Sequence, residues 1–219
     1  MGEAYIVDAV RTPVGRRGGG LSEEHPADLG AHVIQGLVER TGIDPSAVDD
    51  VIMGCLDNMG PQAGDIARTA WLAAGMPESI PGVTVDRQCG SGQQAVSFAA
   101  MGVMSGVQDM VVAGGIQNMS LIPIGSAMDV MGHEAIGHPE IEDPYTTSKG
   151  WVERYGTQEV SQFRGAELIA KKWNLSRQQL EEFALESHER AAKAQDEGRF
   201  DKEILPYGEI TQDEGVRRG

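Results

Sequence analysis

The spacing of apolar residues along the first half of the chain predicts alternating strands and helices. Residues 4–10 (Ala-Tyr-Ile-Val-Asp-Ala-Val) are a short, mostly apolar run and read as a buried strand. Gly18-Gly19-Gly20 marks a flexible turn. From Asp28 to Arg40 the period changes. Leu29, Val33, Ile34, Leu37 and Val38 form one stripe of a helix. Asp44-Pro45 ends that unit, and Val51–Leu56 gives a second strand. Strand, helix and strand in this order suggest that residues 4–10 and 51–56 form a parallel pair joined by a right-handed crossover. Asp65 is placed to cap a further helix through Ile66, Trp71 and Leu72, with Gly75 as its stop. A strand leading to Cys89, a helix reaching about Gly106 and a strand over Met110–Gly115 complete the series. Residues 1–120 therefore read as an α/β layer of crossover units.

The pattern changes after Ser120. Residues 121–160 are rich in Gly, Pro, Met and His without clean periodicity, and read as long loops. A helix is expected near Ser161–Trp173. Another starts at Ser176, with Gln179 placed for a capping box, and ends at Gly198. Leu180, Phe183, Ala184, Ser187 and Ala191 give that last helix one face to pack. No internal repeat or low-complexity tract is found.

The junction at Cys89 carries the chemistry. Val83-Thr84-Val85 leads into Asp86-Arg87-Gln88-Cys89-Gly90-Ser91-Gly92, and a helical pattern follows at once. This places a thiol at a helix N-terminus, where unpaired N–H groups and the helix dipole favour negative charge and so the nucleophilic thiolate. Gly90 and Gly92 keep the space over the sulfur open. The alternative reading is a packed cysteine acting as a small hydrophobe, and the local pattern alone fits both. Cys55, inside the apolar run Val51–Leu56, reads as simply packed.

Composition narrows the partners. The 219 residues suffice for one large domain or two small ones. A hydrophobic fraction of 40% and a charged fraction of 23% are those of a soluble globular protein. A net charge of −15 argues against nucleic acid and against an anionic membrane surface. Any anionic ligand would need a local basic patch, and Arg16-Arg17 and Arg217-Arg218 are the only adjacent arginine pairs. Two cysteines make neither a disulfide framework nor a zinc pattern. His133 and His138 have no spacing of a metal pair on a helix, so no metal is expected. His25, His32 and His188 read as ordinary surface or helix residues. No run is long and apolar enough to span a membrane, and no secretory leader is seen, which gives a cytoplasmic reading.

The segment Asp86–Ala95 resembles the nucleophile motif of the thiolases, the acetyl-CoA acetyl/acyltransferase family. Three further stretches agree in the family's order. They are Ala9-Val10-Arg11-Thr12-Pro13-Val14-Gly15, Gly114-Gly115-Ile116-Gln117-Asn118-Met119-Ser120, and the helical region from Ala166-Glu167-Leu168 to Glu203-Ile204. The resemblance implies a thiolase-like α/β fold. Residues 1–120 would form the first part of its N-terminal domain, and residues 121–219 an incomplete CoA-binding loop and helical insert. It implies acyl transfer between CoA thioesters, with Cys89 as the nucleophile that carries the acyl group. Coenzyme A is then a co-substrate, with no permanently bound cofactor. Arg217, in an Arg-x-Gly after an acidic turn, resembles the arginine that thiolases set against the CoA adenine; the alternative is a solvent-facing arginine at a frayed end. The family also implies a homodimer or homotetramer.

The resemblance puts the family's histidine, its second cysteine and an Asn-containing motif in a second, related half. None of these has a counterpart here, so the chain reads as truncated and as having little turnover alone. Gly137-His138-Pro139 shares three letters with the family's histidine motif but sits in an irregular region, and reads as a loop histidine. Gln162-Phe163-Arg164 departs from the commonest pattern at the acyl pocket, which leaves chain length open; Gln162 and Phe163 would suit a bulky or branched acyl group, but a packed Phe163 is the expectation. A ketoacyl-synthase-type condensing enzyme is the nearest rival, and Gln88 before the cysteine with Gly90-Ser91-Gly92 after it favours a thiolase. A non-catalytic acyl-CoA or sterol-carrier relative is the other alternative, against which the retained Cys89 argues.

Overall fold

The computed structural model describes residues 2–128 and 144–218. The chain forms two compact units, Met1–Ile124 with Phe200–Gly215, and Gly125–Arg199 with Val216–Gly219.

The first unit is built on a parallel three-stranded sheet. Helix α1 (Pro26–Thr41) precedes β1 (Asp50–Gly54), α2 (Ile66–Ala73), β2 (Gly82–Val85), α3 (Ser91–Ser105) and β3 (Val111–Gly115). The strand order is β2-β1-β3. Val51 lies opposite both Gly82 and Val112, and Gly54 opposite Val85 and Gly115. The chain leaves β1 towards one side through α2, then crosses to the other side through α3. Right-handed crossovers in opposite directions put the two helices on opposite faces of the sheet.

The central strand obeys the two-residue period of a pleated chain. Val51, Met53 and Cys55 are buried in one cluster with Ala27, Ala31 and Ile34 of α1 and Ile66, Ala67, Ala70 and Trp71 of α2. On the opposite face, Gly54 meets the start of α3, where an added Cβ would overlap the Ser91 carbonyl carbon and the Gly92 nitrogen. β1 is covered on both faces and so reads as a continuous apolar run. Trp71 is fully buried and its indole N–H donates to the Pro77 carbonyl at 2.9 Å.

The helix ends follow from their residues. Asp65 caps α2 by accepting from the Arg68 N–H at 3.5 Å, and also accepts from the Thr84 hydroxyl at 2.7 Å, which ties α2 to β2. Gly42 closes α1 in the left-handed conformation, φ 68°, and its N–H returns to the Val38 carbonyl.

The first strand expectation is corrected. Residues 4–10 form no strand among the described residues, and Tyr5, Ile6 and Val7 are about four-fifths exposed. An apolar run is buried as a strand only if a sheet edge accepts it and both its faces are covered; this segment pairs with neither β2 nor β3. The parallel pairs of β1 are instead those with β2 and β3. Just beyond the run, Arg11 bridges to Ile204. The Arg11 N–H donates to the Glu203 carbonyl, and the Leu205 N–H donates to the Arg11 carbonyl, each at 2.8 Å.

The second unit contains α4 (Lys149–Tyr155), α5 (Gln162–Lys172) and α6 (Arg177–Asp196). Helix α4 falls where only loop was expected; Ser148 caps it, and the rings of Trp151 and Tyr155 meet one turn apart, tilted by 47° with centroids 4.7 Å apart. The capping box at α6 is formed in both directions, Ser176 with Gln179. The packed face expected on α6 is corrected: Leu180, Phe183, Ala184 and Ser187 are exposed, and only Ala191 of the five is partly covered. The helix is held by local terms instead, its cap and the pairs Arg177–Glu181 and Lys193–Glu197. Phe163 is likewise exposed, not packed. No described helix is long and apolar enough to cross a membrane.

Candidate active site

Cys89 lies in the turn between β2 and α3, at the carboxyl edge of the parallel sheet, where open α/β sheets place their ligand sites. It is exposed. The turn is tight. Gln88 has φ 50°, a left-handed backbone that costs a non-glycine residue on the order of 1 kcal/mol or more. The Gly90 N–H donates to the Arg87 carbonyl at 3.1 Å and the Ser91 N–H to the Gln88 carbonyl at 3.0 Å. Asp86 Oδ1 accepts from the Gln88 N–H at 2.8 Å. The buried Ser91 hydroxyl accepts from the Arg87 N–H at 2.8 Å and donates to the Gln88 carbonyl at 2.6 Å.

The start of α3, like that of α5, carries no side-chain cap. His25, Asp65 and Ser176 each lay a side-chain acceptor over their helix N-terminus. The N-cap of α3 is Gly90, with no side-chain cap. The positive end of the dipole is therefore not occupied by a capping side chain, and Cys89 is the residue directly before that N-cap.

Cys55 presents the opposite environment. It is 2% exposed, and its sulfur lies 3.4 Å from the Leu56 carbonyl and 3.7 Å from Gln117 Oε1. Burial, then the charges of Asp86 and Asp57, push its thiol up to about 11. Two cysteines in one unit thus differ in accessibility for stated reasons.

Sequence reasoning missed the polar network beside the turn. Gln62, fully buried, donates to the carbonyls of Leu56 and Asp57 and accepts from the Asn118 N–H at 2.9 Å. Asn118 Nδ2 donates to the carbonyls of Leu21 at 3.0 Å and Glu24 at 2.8 Å. Gln117 Oε1 accepts from the Leu56 N–H at 3.0 Å. The Gly114–Ser120 motif therefore ties together the loops that follow β1 and β3. The signal was present in the sequence as paired amides, Gln117-Asn118, directly after an apolar strand.

In the second unit, Arg217 donates its N–H to His188 Nδ1 at 3.3 Å. It lines an open groove of about 470 Å³ with Glu189, Lys193, Asp196, Glu197 and Arg218. Arg218 is paired with Asp196 at 2.8 Å. The guanidinium of Arg217 has no carboxylate partner among the described residues. Gly137-His138-Pro139 and His133 lie outside the described residues. Among the described residues no group of three or more His, Cys, Asp or Glu is arranged to hold a metal ion.

Residues 4–217 match the thiolase N-terminal domain. A steroid 3-ketoacyl-CoA thiolase of Mycobacterium tuberculosis is 59% identical over 221 residues, which covers 99% of this chain and 53% of that protein. The 3-oxoadipyl-CoA/3-oxo-5,6-dehydrosuberyl-CoA thiolase of Escherichia coli is 38% identical, over 94% of this chain and 52% of its own length. The crystal structure of the Bacillus anthracis acetyl-CoA acetyltransferase superposes with a TM-score of 0.74 at 32% identity, covering 97% of this chain and 54% of that one. The chain spans about half the length of these relatives.

Proposed function

The chain belongs to the thiolase family, and on that premise we propose that it supplies the nucleophile of an acyl-CoA C-acyltransferase, with Cys89 carrying the acyl group. The observation that carries this reading is the exposed Cys89 at a helix N-terminus free of any capping side chain, in a unit whose other cysteine is buried.

In the degradative direction the Cys89 thiolate attacks the 3-keto carbon of a 3-ketoacyl-CoA. The tetrahedral oxyanion collapses, the bond between C2 and C3 breaks, and the C2 carbanion takes a proton to leave as acetyl-CoA. An acyl thioester remains on Cys89. The thiol of a second CoA, losing its proton, attacks that thioester and frees Cys89 as the thiolate. The synthetic direction reverses each step. The amides and dipole at the start of α3 suit the negative charge that develops on the oxyanion. CoA is a co-substrate, not a resident cofactor. Arg217 is proposed to meet its adenine, a role suited to a guanidinium, which stacks on aromatic faces and pairs with phosphates.

We assign a bulky, steroid-type 3-ketoacyl group to the substrate. The support is the 59% identity to a steroid 3-ketoacyl-CoA thiolase, against 38% and 32% for the other two relatives. The protein is proposed to act in the cytoplasm as a homodimer or homotetramer, and residues 1–219 alone to give little turnover. The test is to mix the protein with a 3-ketoacyl-CoA, quench, and map the acyl mass. An adduct on Cys89 that CoA removes is expected; an adduct elsewhere, or none with full activity, would overturn the assignment.

A further inference from the structure

We infer that Ser91 is a positioning residue for the nucleophile: its buried hydroxyl holds the strained turn that presents the Cys89 thiol to the N-terminus of α3. The inference rests on the reading of Cys89 as nucleophile and adds how the chain keeps it in place.

Three observations support it. First, the turn is intrinsically unfavourable, since Gln88 adopts φ 50° without being glycine. Such a conformation persists only where its surroundings over-determine it. Second, Ser91 Oγ spans the turn on both sides, accepting from the Arg87 N–H at 2.8 Å and donating to the Gln88 carbonyl at 2.6 Å. Cys89 lies between the backbone groups so fixed and the serine that fixes them. Third, Ser91 itself has little freedom. It is 5% exposed, and its backbone abuts Gly54 of the central strand so closely that a Cβ there would overlap it. The hold therefore runs from the middle of the sheet, through Ser91, to the turn. Asp86 adds a weaker tie through the Gln88 N–H, but Asp86 is exposed whereas Ser91 is buried. A hydrogen bond protected from water is the harder one to replace.

The chemistry gives Ser91 a role separate from general stability. Without its hydroxyl, the Arg87 N–H loses its acceptor and the Gln88 carbonyl keeps only the Ser91 N–H, so the left-handed residue can relax. The thiol would then sample positions away from the helix terminus. The core cluster around Trp71 and Cys55 is on the other face of the sheet and is not touched by the change.

The experiment compares the rates at which iodoacetamide labels Cys89 and Cys55 at neutral pH in the wild type, Ser91→Ala and Ser91→Thr, with hydrogen exchange of the Arg87 amide followed in parallel. In Ser91→Ala the Cys89 rate is expected to fall about ten-fold, the equivalent of one lost hydrogen bond. Arg87 exchange should accelerate and Cys55 stay unlabelled. Ser91→Thr, which keeps the hydroxyl, should recover most of the Cys89 rate. An unchanged Cys89 rate in Ser91→Ala with Cys55 protected overturns the inference. Labelling of Cys55 in Ser91→Ala also overturns it, because Ser91 would then hold the whole unit instead of the turn. If Cys89 of the wild type is labelled no faster than Cys55, the nucleophile reading itself fails, which separates the two claims.

Discussion

At the scale of single residues, the two cysteines differ by environment alone. Cys89→Ala is expected to abolish the acyl adduct that a 3-ketoacyl-CoA leaves on the chain, since it removes the group that forms the covalent bond; the intact mass after quenching checks this. Cys55 makes a pH prediction of known sign. Its folded value, raised by burial and then by Asp86 and Asp57, is about 11. Its unfolded value is near 8.5. The neutral thiol therefore contributes stability that is complete below about pH 8.5 and is lost as pH rises towards about 11. Thermal melts of the wild type and Cys55→Ala should converge across that alkaline window. Gly54→Ala forces a methyl group into the backbone of Ser91 and Gly92. It should cost about 1–3 kcal/mol, read as a lower denaturant midpoint.

The elements show what a sequence can and cannot disclose. The stripe of α1, the Asp65 cap, the Ser176–Gln179 box and the Cys89 turn were legible because each is decided by residues a few positions apart. Residues 4–10 were misread because their composition fits a strand, whereas burial depends on a neighbouring edge that no local pattern specifies. Helix α4 escaped notice because seven residues hold too few apolar positions to declare a period. The face of α6 was legible as a stripe, but its coverage was not. Ser91 sat in plain view as a serine two residues after a turn cysteine, the kind of hydroxyl that bonds nearby backbone; only the geometry showed that it spans the turn. The caps give a test at this scale. Ser176→Ala removes the capping box of an otherwise exposed helix and should cost about 1 kcal/mol, seen as faster amide exchange in the first turn of α6.

For the molecule as a whole, the first unit closes on a contact between residues 202 positions apart. Arg11 grips Asp213 with two bonds, 2.6 and 3.0 Å, and Glu203 with a third at 2.7 Å. Asp213 also accepts from the Val14 N–H at 2.7 Å. Burial raises the Asp213 carboxyl, but the Arg11 and Val14 bonds together outweigh it and hold it below its ordinary value. Glu214 is lowered by the Gly20 and Arg16 N–H groups. Both folded values lie below the unfolded ones, so this closure contributes stability above about pH 4 and loses it as pH falls further. Limited proteolysis should release the segment after Phe200 in acid, and Asp213→Asn should release it at neutral pH. No pattern in the sequence announces such a long-range pair.

The most direct test of the account is brief, substoichiometric alkylation of the folded chain at neutral pH, followed by peptide mapping. Labelling concentrated on Cys89, with Cys55 untouched, is the predicted result. Protection of Cys89, or equal labelling of both thiols in a folded protein, would contradict the claim that the turn after β2 presents an accessible nucleophile.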